Sequence, residues 1–281
     1  MIDIKKVIAV VVTYNRKEKL KKNIECLLNQ TYNINEIYII DNHSTDGTKR
    51  YINKYIEEKK INYIDTLENL GGAGGFAKAL DIAQNSENDY VWGMDDDAYP
   101  KEDALEELMK YATEDKVLWS NCNKDGNFNS ADTKQVKSFM FVGFLIPIKI
   151  IKRLGLPRAD FFIYYDDVEY SKRITKNGYK ILKVKNSIID HQDTVEKTRN
   201  TKQILCKKIS YNYLPSWKQY YFVRNIILMY KWNDIEKYKV IFVTMIKYFI
   251  KMVIFNDKNK KMFFKGYFDG IRNKSGIIVK P

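Results

Sequence analysis

Three consecutive aspartates, Asp95, Asp96 and Asp97, end a short apolar run in the first half of the chain. Adjacent carboxylates repel one another, and a hard divalent cation offsets that repulsion because Mg²⁺ and Mn²⁺ take oxygen ligands. Alternate residues of an extended segment point the same way, which predicts that Asp95 and Asp97 bind one ion together. Mg²⁺ is usually bound through one or two carboxylates plus substrate phosphates, so a diphosphate is the expected ligand. A solvated acidic turn is the alternative interpretation of this triplet.

A second group of carboxylates, Asp166, Asp167 and Glu169, follows an apolar and aromatic run at 161–165 and begins a helical pattern. Acidic residues in a first helical turn often do no more than complement the helix dipole. The preceding aromatic side chains favour a functional interpretation instead. Burial beside them would raise the pKa of a carboxyl group by desolvation, and a carboxylate of raised pKa is a usable general base. Both interpretations remain open at this point.

His191 is one of two histidines in the chain, and it ends the extended segment 188–191. A structural role is the alternative for any lone histidine. Its position at the end of a strand makes it a candidate nitrogen ligand beside Asp95 and Asp97. The other histidine, His43, is expected to be a loop residue with no assigned role.

The elements that would position these residues alternate between strands and helices. Strands are predicted at 5–14, 36–40, 61–65, 90–94, 117–121 and 139–148, and helices at 17–29, 49–60, 101–113 and 166–176. The alternation predicts an α/β fold with a doubly wound, mostly parallel sheet flanked by helices. Ligands of such sheets bind beyond the carboxyl ends of the strands, and the residues there are Thr13, Asp41, Asn69 and Asp95.

A glycine-rich segment at 71–75 opens one further predicted helix, which extends to about Gln84. Glycines such as Gly71 and Gly72 let the backbone approach a ligand closely, and the N-terminus of a helix favours anions. The segment is neither a P-loop, since it lacks the Gly-Lys-Ser/Thr ending, nor a Gly-x-Gly-x-x-Gly fingerprint. The glycines alone are weak evidence for a phosphate site.

Composition excludes several functional classes. The chain of 281 residues carries a net charge of +13, but no helix-turn-helix, zinc or RNA-binding signature accompanies its scattered lysines, so nucleic acid is not the expected partner. Cys26, Cys122 and Cys206 form neither a disulfide framework nor a metal-finger spacing, which fits a reducing cytoplasm. We expect a cytoplasmic protein, since neither a signal peptide nor a run of about 18 uncharged apolar residues occurs.

The late part of the chain is rich in lysine, isoleucine and aromatic residues, which predicts a catalytic domain at 1–215 and a helical region at 216–281. Its apolar run at 240–255 is too short, and too interrupted by Lys247 and Lys251, to span a bilayer. Lysines beside aromatic and aliphatic side chains are typical of an interfacial helix, which predicts peripheral binding to an anionic membrane surface at the inner face of the plasma membrane. The alternative, weighted equally, is that these helices do not bind a membrane but cover the catalytic domain or form a homo-oligomer.

Several short motifs occur in order along the chain: Thr13-Tyr14-Asn15, Asp41-Asn42, Ser44-Thr45-Asp46-Gly47-Thr48, Asn69, Gly71-Gly72, Asp95-Asp96-Asp97, Asp166-Asp167, Glu169 and His191. This ordered set resembles family two of the inverting glycosyltransferases, which have the GT-A fold. Within that family, the chain is similar to galactofuranosyltransferases and rhamnosyltransferases. The residues that carry this closer likeness are Gly155-Leu156-Pro157, Phe162-Ile163, Asp166 to Tyr170, His191, Trp217, Tyr220-Tyr221 and Arg224-Asn225.

The resemblance implies a role for each motif. The nucleotide-sugar site would consist of Thr13, Tyr14, Asn15, Asp41, Asn69, Gly71, Gly72, Asp95 and Asp96, with Asp41 on the pyrimidine base. The metal ligands of Mn²⁺ or Mg²⁺ would be Asp95, Asp97 and His191. The general base would be Asp167, and the residues that position acceptor hydroxyls would be Asp166 and Glu169.

The resemblance also implies an activity. A metal-dependent inverting glycosyltransferase would move galactofuranose from UDP-galactofuranose to a glycan or lipid-linked glycan acceptor in the synthesis of a bacterial surface polysaccharide. A rhamnosyltransferase that uses dTDP-rhamnose, or a transferase that uses another UDP-hexose, is the alternative enzyme. A non-catalytic protein that binds a sugar nucleotide or a glycan is the alternative from another class, and the intact set of acidic residues with His191 argues against it.

Overall fold

The computed structural model describes residues 5–124, 126–191, 200–204, 207–233 and 238–280. Residues 1–4 and Cys206, both used in the expectations above, lie outside the described residues. Contacts divide the chain into two compact units, Met1–Ala159 with Asp167–Asp193, and Asp160–Asp166 with Thr194–Pro281. The domain boundary between residues 215 and 216 stays a prediction.

The first unit contains a sheet flanked by helices. Its strands in chain order are β1 (Val7–Thr13), β2 (Glu36–Asp41), β3 (Asn62–Asp65), β4 (Tyr90–Asp95), β5 (Ala98–Pro100), β6 (Lys116–Cys122), β7 (Thr133–Val136), β8 (Phe144–Pro147) and β9 (Lys180–His191). The helices that accompany them are α1 (Lys17–Leu28), α2 (Thr48–Tyr51), α3 (Asn53–Glu57), α4 (Gly71–Gln84), α5 (Ala104–Met109), α6 (Ile148–Leu154) and α7 (Asp166–Lys176).

The strands lie in the order β3-β2-β1-β4-β8-β6-β9-β5, and β7 pairs with β9. Pairing is parallel from β3 through β2 and β1 to β4, and again between β6 and β9. Strand β8 is antiparallel to both of its neighbours, and β5 and β7 are antiparallel to β9. More residue pairs are parallel than antiparallel, so the predicted α/β fold with a mostly parallel sheet is confirmed.

Every residue of β1 is buried, because helices cover both faces of the sheet. Its residues Val7, Ala9 and Val11 belong to a core shared with α1 and α5. The alternate residues of β1 point to the opposite face and belong to a second core, shared with α4, α6 and α7. A continuous apolar strand between two helical layers is what the valine-rich run of β1 predicts.

The parallel strands end level with one another. Thr13 lies opposite Asp41, Asp41 lies opposite Asp65, and Val12 lies opposite Asp95 in the ladders of β1, β2, β3 and β4. The polar residues predicted to follow these strands are therefore at one edge of the sheet.

The aspartate triplet was predicted to lie in an extended segment, but the structure has a turn there. Asp95 ends β4, whereas Asp96 and Asp97 form a turn that leads directly into β5. Pro100 is the last residue of this strand, which lies at the edge of the sheet, where a proline needs no partner for its missing N–H. The helix predicted at 101–113 is shorter, at Ala104–Met109.

The second unit contains a two-stranded antiparallel ribbon, β10 (Asn200–Ile204) and β11 (Lys207–Tyr211), and three helices. The helices are α8 (Ser216–Asn233), α9 (Tyr238–Ile254) and α10 (Lys260–Ile271). α10 lies close against α8, since a Cβ added at Gly266 would be 2.6 Å from the carbonyl oxygen of Tyr220. In the described part of the chain, no helix is both long enough and apolar enough to cross a lipid bilayer.

Candidate active site

Strand pairing brings His191 to the aspartate triplet. After the turn at Asp96 and Asp97, β5 runs antiparallel to β9, so that Ala98 lies opposite His191. Nε2 of His191 lies 3.1 Å from Oδ1 of Asp97, and the backbone N–H of His191 donates a 2.8 Å hydrogen bond to Oδ1 of Asn123. The predicted metal ligands are therefore together at the carboxyl edge of the sheet.

The donor set fits a divalent cation. One ligand atom from each of Asp95, Asp97 and His191 can be chosen so that all three lie within 4.8 Å of one another. Ligands at about 2.1 Å from an octahedral Mg²⁺ are about 3.0 Å apart when adjacent and about 4.2 Å apart when opposite, so side-chain movements of about an ångström would bring the three atoms around one ion. Two carboxylates and one imidazole are suitable ligands for Mn²⁺ or Mg²⁺, and three protein ligands would leave three positions of a six-coordinate ion for phosphate oxygens or water.

Two basic side chains from the start of α1 neutralise the acidic turn. Nη1 of Arg16 donates to Oδ2 of Asp97 at 2.8 Å and to Oδ1 of Asp96 at 3.3 Å. Nζ of Lys19 lies 3.7 Å from Oδ2 of Asp97. Opposite charges this close to a nearly buried carboxylate offset the mutual repulsion of the aspartates. Neither cation is predictable from the sequence, because nothing in the spacing of 16–19 points to residues about 80 positions away.

Asp96 differs from its two neighbours because it is held by the end of β1. The hydroxyl of Thr13 donates a 2.7 Å hydrogen bond to Oδ2 of Asp96, and both side chains are buried. Burial raises the pKa of Asp96 to about 6, and the Thr13 hydrogen bond and the charge of Arg16 oppose this rise. Thr13 and Asp96 thus tie the turn to β1, one of the central strands of the sheet.

Asp41, predicted to contact the nucleotide base, is fully buried at the end of β2. Its Oδ1 accepts hydrogen bonds from the backbone N–H and the hydroxyl of Ser44, at 2.9 Å and 2.6 Å. Its Oδ2 accepts a 2.5 Å hydrogen bond from the hydroxyl of Tyr63. The carboxylate therefore organises the loop after β2, and its contact with a base stays a prediction.

Asn15 joins the loop after β1 to the loop after β2. Its backbone N–H donates to the hydroxyl of Ser44 at 2.8 Å, and its side-chain oxygen accepts from the N–H of Thr45 at 2.7 Å. Asn15 has a positive φ of 54°, which asparagine tolerates better than most residues. Tyr14 beside it is exposed at the rim of this edge.

The segment before α4 is held by two asparagines. Oδ1 of Asn69 accepts a 2.9 Å hydrogen bond from the N–H of Gly71, and Nδ2 of Asn42 donates to the carbonyl of Gly71 at 3.0 Å. Gly71 has a φ of +69°, which suits glycine. A Cβ at Gly75 would lie 2.5 Å from Cγ1 of Val12, whereas Gly72 faces open space. The glycines thus let α4 pack close to β1 and leave space beside its first turn.

Asp167 lies in the first turn of α7, which packs on the face of the sheet shared with α4. One turn later, Tyr170 contacts the ring of Phe141, and Phe141 contacts Phe144, which lies directly over Gly93 of β4. Burial raises the pKa of Asp167 to about 6, although hydrogen bonds from the N–H of Val168 and from its own N–H lower it. A half-buried carboxyl with a raised pKa is a suitable general base.

The other two acidic residues of α7 have different surroundings. Both oxygens of Glu169 bind Arg173, at 2.7 Å and 3.2 Å, and Nη1 of Arg173 also donates to the carbonyls of Leu154 and Leu156. Glu169 thereby fixes the chain that follows α6, which is a structural function that sequence reasoning did not assign. Asp166 is buried at the beginning of the helix. The predicted contacts of Asp166 and Glu169 with an acceptor stay predictions.

A strained loop in the second unit precedes these acidic residues. Phe162, Tyr164 and Tyr165 all have positive φ values, between 65° and 69°, which cost energy in bulky residues. Nδ2 of Asn225 donates to the carbonyls of Phe161, Ile163 and Tyr164, at 2.8 Å, 2.8 Å and 3.1 Å. The loop is therefore held at its backbone by a side chain of α8.

Arg224 supports the same loop beside Asn225. Its buried guanidinium donates to the carbonyls of Asp160 and Phe161, at 3.0 Å and 3.2 Å, and its Nε donates to Oδ1 of Asn225 at 2.8 Å. The sequence identified Arg224 and Asn225 only as part of a motif. Their partners are backbone carbonyls, which have no sequence signature.

Comparison with known proteins shows which protein family has a matching sequence. The family model described as Glycosyl transferase family 2 matches residues 8–171, which is more than half of the chain. The matched region begins in β1 and ends in α7. It includes the aspartate triplet and the acidic residues that begin α7, whereas His191 lies after it.

The chain is similar in sequence to several bacterial enzymes. It is 22% identical over 201 residues to galactofuranosyltransferase GlfT1 of Mycolicibacterium smegmatis, a match that covers 61% of this chain and 66% of that protein. It is 32% identical over 114 residues to the Escherichia coli protein WfaP, a UDP-Glc:alpha-D-GlcNAc-diphosphoundecaprenol beta-1,3-glucosyltransferase, covering 41% of this chain and 44% of WfaP. The chain thus matches just under two thirds of the length of the galactofuranosyltransferase.

Solved structures share the fold. The mannosyltransferase PcManGT from Pyrobaculum calidifontis, in complex with GDP-Man and Mn²⁺, aligns with a TM-score of 0.60 and 15% identity over 96% of this chain and 74% of its own. GalNAc-T7 with UDP, GalNAc and Mn²⁺ aligns with a TM-score of 0.59 and 14% identity over 67% of this chain and 43% of its own. At these identities the likeness establishes the fold alone, which is the GT-A fold.

Proposed function

This chain belongs to glycosyl transferase family 2, and on that premise we propose that it transfers a sugar from a nucleotide-sugar donor to an acceptor hydroxyl with inversion. The observation that carries the proposal is the cluster of Asp95, Asp97 and His191 at the carboxyl edge of the sheet. Ligands of doubly wound sheets bind at this edge, and this donor set suits a cation that binds a diphosphate.

We assign Mn²⁺ or Mg²⁺ to this cluster. When bound, the ion would stabilise the negative charge that develops on the leaving diphosphate. The side chains of Asp95, Asp97 and His191 would hold it, and the imidazole nitrogen favours Mn²⁺ over Mg²⁺ as the more compatible ion. Arg16 already contacts Asp97, so it would remain near the diphosphate as an additional positive charge.

The nucleotide would lie across the loops that follow β1, β2 and β3. Thr13, Tyr14 and Asn15 line the first of these loops, and Asp41 with Tyr63 lies beneath the second. Asn69, Gly71 and Gly72 would lie beside the phosphates, because they precede and begin α4, whose N-terminus favours anions.

Asp167 would act as the general base. Its carboxylate would take the proton of the acceptor hydroxyl while that oxygen bonds to the anomeric carbon and the bond to the diphosphate breaks. A single displacement from the opposite face inverts the anomeric configuration. A pKa of about 6 leaves most of this carboxyl ionised at neutral pH while keeping it more basic than an ordinary aspartate.

The proposed donor is UDP-galactofuranose, and the proposed acceptor is a glycan or lipid-linked glycan of a bacterial surface polysaccharide. The motifs at 155–170 and 217–225 and the match to a galactofuranosyltransferase support this donor. A UDP-hexose donor is the second candidate, because WfaP, whose name specifies UDP-Glc, matches 114 residues at 32% identity. The third candidate donor is dTDP-rhamnose, which is supported only by the resemblance of the motifs to those of rhamnosyltransferases.

The cytoplasmic side of the plasma membrane is the proposed location, with the protein bound peripherally. A lipid-linked acceptor would be presented at that surface. Lysine-rich aromatic helices in the last part of the chain are consistent with such binding.

A screen of donors tests the proposal. The protein would be incubated with Mn²⁺ and each member of a panel of UDP-, dTDP- and GDP-sugars, and binding and turnover would be followed by calorimetry and mass spectrometry. We expect metal-dependent binding of UDP-galactofuranose and slow release of UDP from it. Preference for another sugar would correct the donor, whereas binding without turnover on every donor and acceptor tested would favour a non-catalytic sugar-nucleotide protein.

A further inference from the structure

We infer that α9 and α10 form a docking face that lies on an anionic lipid surface. The face consists of an exposed apolar stripe, an apolar groove between the two helices, and lysines around both. All of its residues belong to the second unit, so the inference does not rest on the geometry of the candidate active site.

The stripe is on α9. Five large apolar side chains of this helix are exposed, between 44% and 55% of their surface, and they are Phe242, Val243, Ile246, Ile250 and Val253. At 3.6 residues per turn, these positions fall within an arc of about 100° on one side of the helix. The other side of α9 is anchored by buried Ile241, Met245 and Met252. Exposure on this scale is uncommon for an isolated soluble protein and marks an interaction surface.

The groove joins this stripe to α10. It has a volume of about 250 Å³, and its wall includes Phe242, Ile246 and Phe249 from α9 and Phe263, Phe264 and Tyr267 from α10. Phe264 and, one turn later, Phe268 are exposed on α10. The apolar surface therefore continues from one helix to the other, with aromatic side chains of the kind that insert between lipid headgroups.

The charges around the face are cationic. Residues 238–280 contain ten lysines and arginines and two acidic residues, Asp257 and Asp269. Both aspartates are buried: Asp257 accepts a hydrogen bond from Tyr211, and Asp269 binds Tyr220 and Lys265. In the described part of 238–280, the exposed charges are therefore all positive. Lys247, which is exposed, lies immediately beside the apolar stripe.

The positive charges around the docking face indicate which partner it binds. A second copy of the chain would bring the same lysines together across a symmetric interface, and like charges at that distance are unfavourable. An anionic bilayer offers an apolar interior for the stripe and phosphates for the lysines. α9 has 17 residues and carries Lys247 and Lys251 near its middle and its end, so it would lie in the interface rather than cross it.

Vesicle flotation of the full chain tests the inference. Vesicles of phosphatidylcholine alone would be compared with vesicles that also contain phosphatidylglycerol, at low and high salt and without any sugar nucleotide. We expect binding to the anionic vesicles that weakens at high salt, and much weaker binding to the zwitterionic ones. Binding to neither kind of vesicle would overturn the inference.

Two sets of substitutions separate the apolar contribution from the electrostatic one. The apolar variant combines Phe242→Ser, Ile246→Ser and Ile250→Ser, and its control replaces three exposed apolar residues of the first unit, Tyr51, Leu67 and Met140, with serine. The charge variant combines Lys247→Gln, Lys258→Gln and Lys261→Gln, and its control changes three exposed lysines of the first unit, Lys54, Lys176 and Lys180, to glutamine.

Each exposed lysine near an anionic surface changes partitioning about fivefold, so the charge variant should bind anionic vesicles about a hundredfold more weakly. The affinity of the apolar variant for the same vesicles should fall about tenfold or more, and both controls should bind like the original chain. Light scattering in the absence of lipid tests whether a second copy of the chain covers the face instead. A dimer that is lost in the apolar variant, while vesicle binding is unchanged, would assign the face to a second copy and contradict the inference.

Discussion

Nε2 of His191 lies 3.1 Å from Oδ1 of Asp97, although 94 positions separate the two residues in the chain. The contact depends on the pairing of β5 with β9, which places His191 opposite the residue that follows Asp97. A histidine far along the sequence thereby completes a carboxylate cluster formed by the end of β4. The edge of the sheet thus has donor atoms of the kind that a divalent cation accepts.

Substitution of this histidine should weaken metal-dependent donor binding. His191→Ala removes one of the three proposed ligands, and we expect the affinity for UDP in the presence of Mn²⁺ to fall about tenfold or more, by analogy with the loss of other groups that support a metal site. Binding measured by calorimetry without metal should change much less. Asp115→Ala is the control, because Asp115 is an exposed side chain that precedes β6, at the amino end of that strand and outside the proposed nucleotide site. Equal affinities of His191→Ala and the original chain in Mn²⁺ would exclude His191 as a ligand.

The pH dependence of transfer should report the proposed base. The pKa of Asp167 is raised to about 6 by burial, so the carboxyl is protonated, and inactive as a base, below that pH. We expect kcat/KM to rise about tenfold per pH unit up to about pH 6 and to level above it. A profile that is flat between pH 5 and pH 7, measured at saturating metal, would exclude Asp167 as the group that titrates.

Asn225 should position the loop that leads into α7. Asn225→Ala leaves the three carbonyls that it binds without that donor, and the strained backbone at Phe162, Tyr164 and Tyr165 loses its support. We expect a loss of about 2 kcal/mol or more in the free energy of unfolding and a larger fall in kcat than in donor affinity.

Asn259→Ala is the control for this variant. Asn259 also belongs to the second unit, and its side chain donates to the carbonyl of Leu214, which is not part of the loop. This control should lose stability without the selective fall in kcat. A change in kcat that is the same in both variants, at temperatures where both are folded, would show that Asn225 has a structural function only.

Two glycines of α4 should respond differently to alanine. In Gly75→Ala the new Cβ would lie 2.5 Å from Cγ1 of Val12, so we expect a loss of about 1–3 kcal/mol from overpacking. In Gly72→Ala the new Cβ meets open space, and stability should be unchanged or slightly increased. If the backbone at Gly72 approaches the donor, Gly72→Ala should nevertheless weaken UDP binding. Thermal unfolding and calorimetry separate the two effects, and unaltered UDP binding by Gly72→Ala would remove this glycine from the proposed site.

The sequence predicts the sheet and the edge where the site lies because these depend on local patterns. The valine-rich run of β1 requires cover on both faces, and polar residues such as Thr13 and Asp41 follow apolar strands directly. The contribution of His191 was predictable in the same way, since it ends an extended segment.

The remaining features depend on contacts that no local pattern encodes. Arg16 neutralises Asp97 only because the start of α1 lies over the turn after β4, and Asn225 supports a loop through backbone carbonyls. The turn at Asp96 and Asp97 was predicted as extended backbone because the pairing of β5 with β9, which fixes it, is between distant segments. The roles of Asp166 and Glu169 toward an acceptor depend on a ligand and stay predictions.

The proposed base catalysis is tested by the Asp167→Asn variant, assayed for donor binding and for turnover in parallel. Asparagine keeps the shape of the side chain but cannot take a proton at neutral pH. We predict that the Kd for the donor in Mn²⁺ stays within about twofold, while kcat falls about a thousandfold, within the range that general base catalysis contributes. Turnover that stays within a few fold of the original chain would contradict the assignment of Asp167 as the base and, with it, the proposed inverting mechanism.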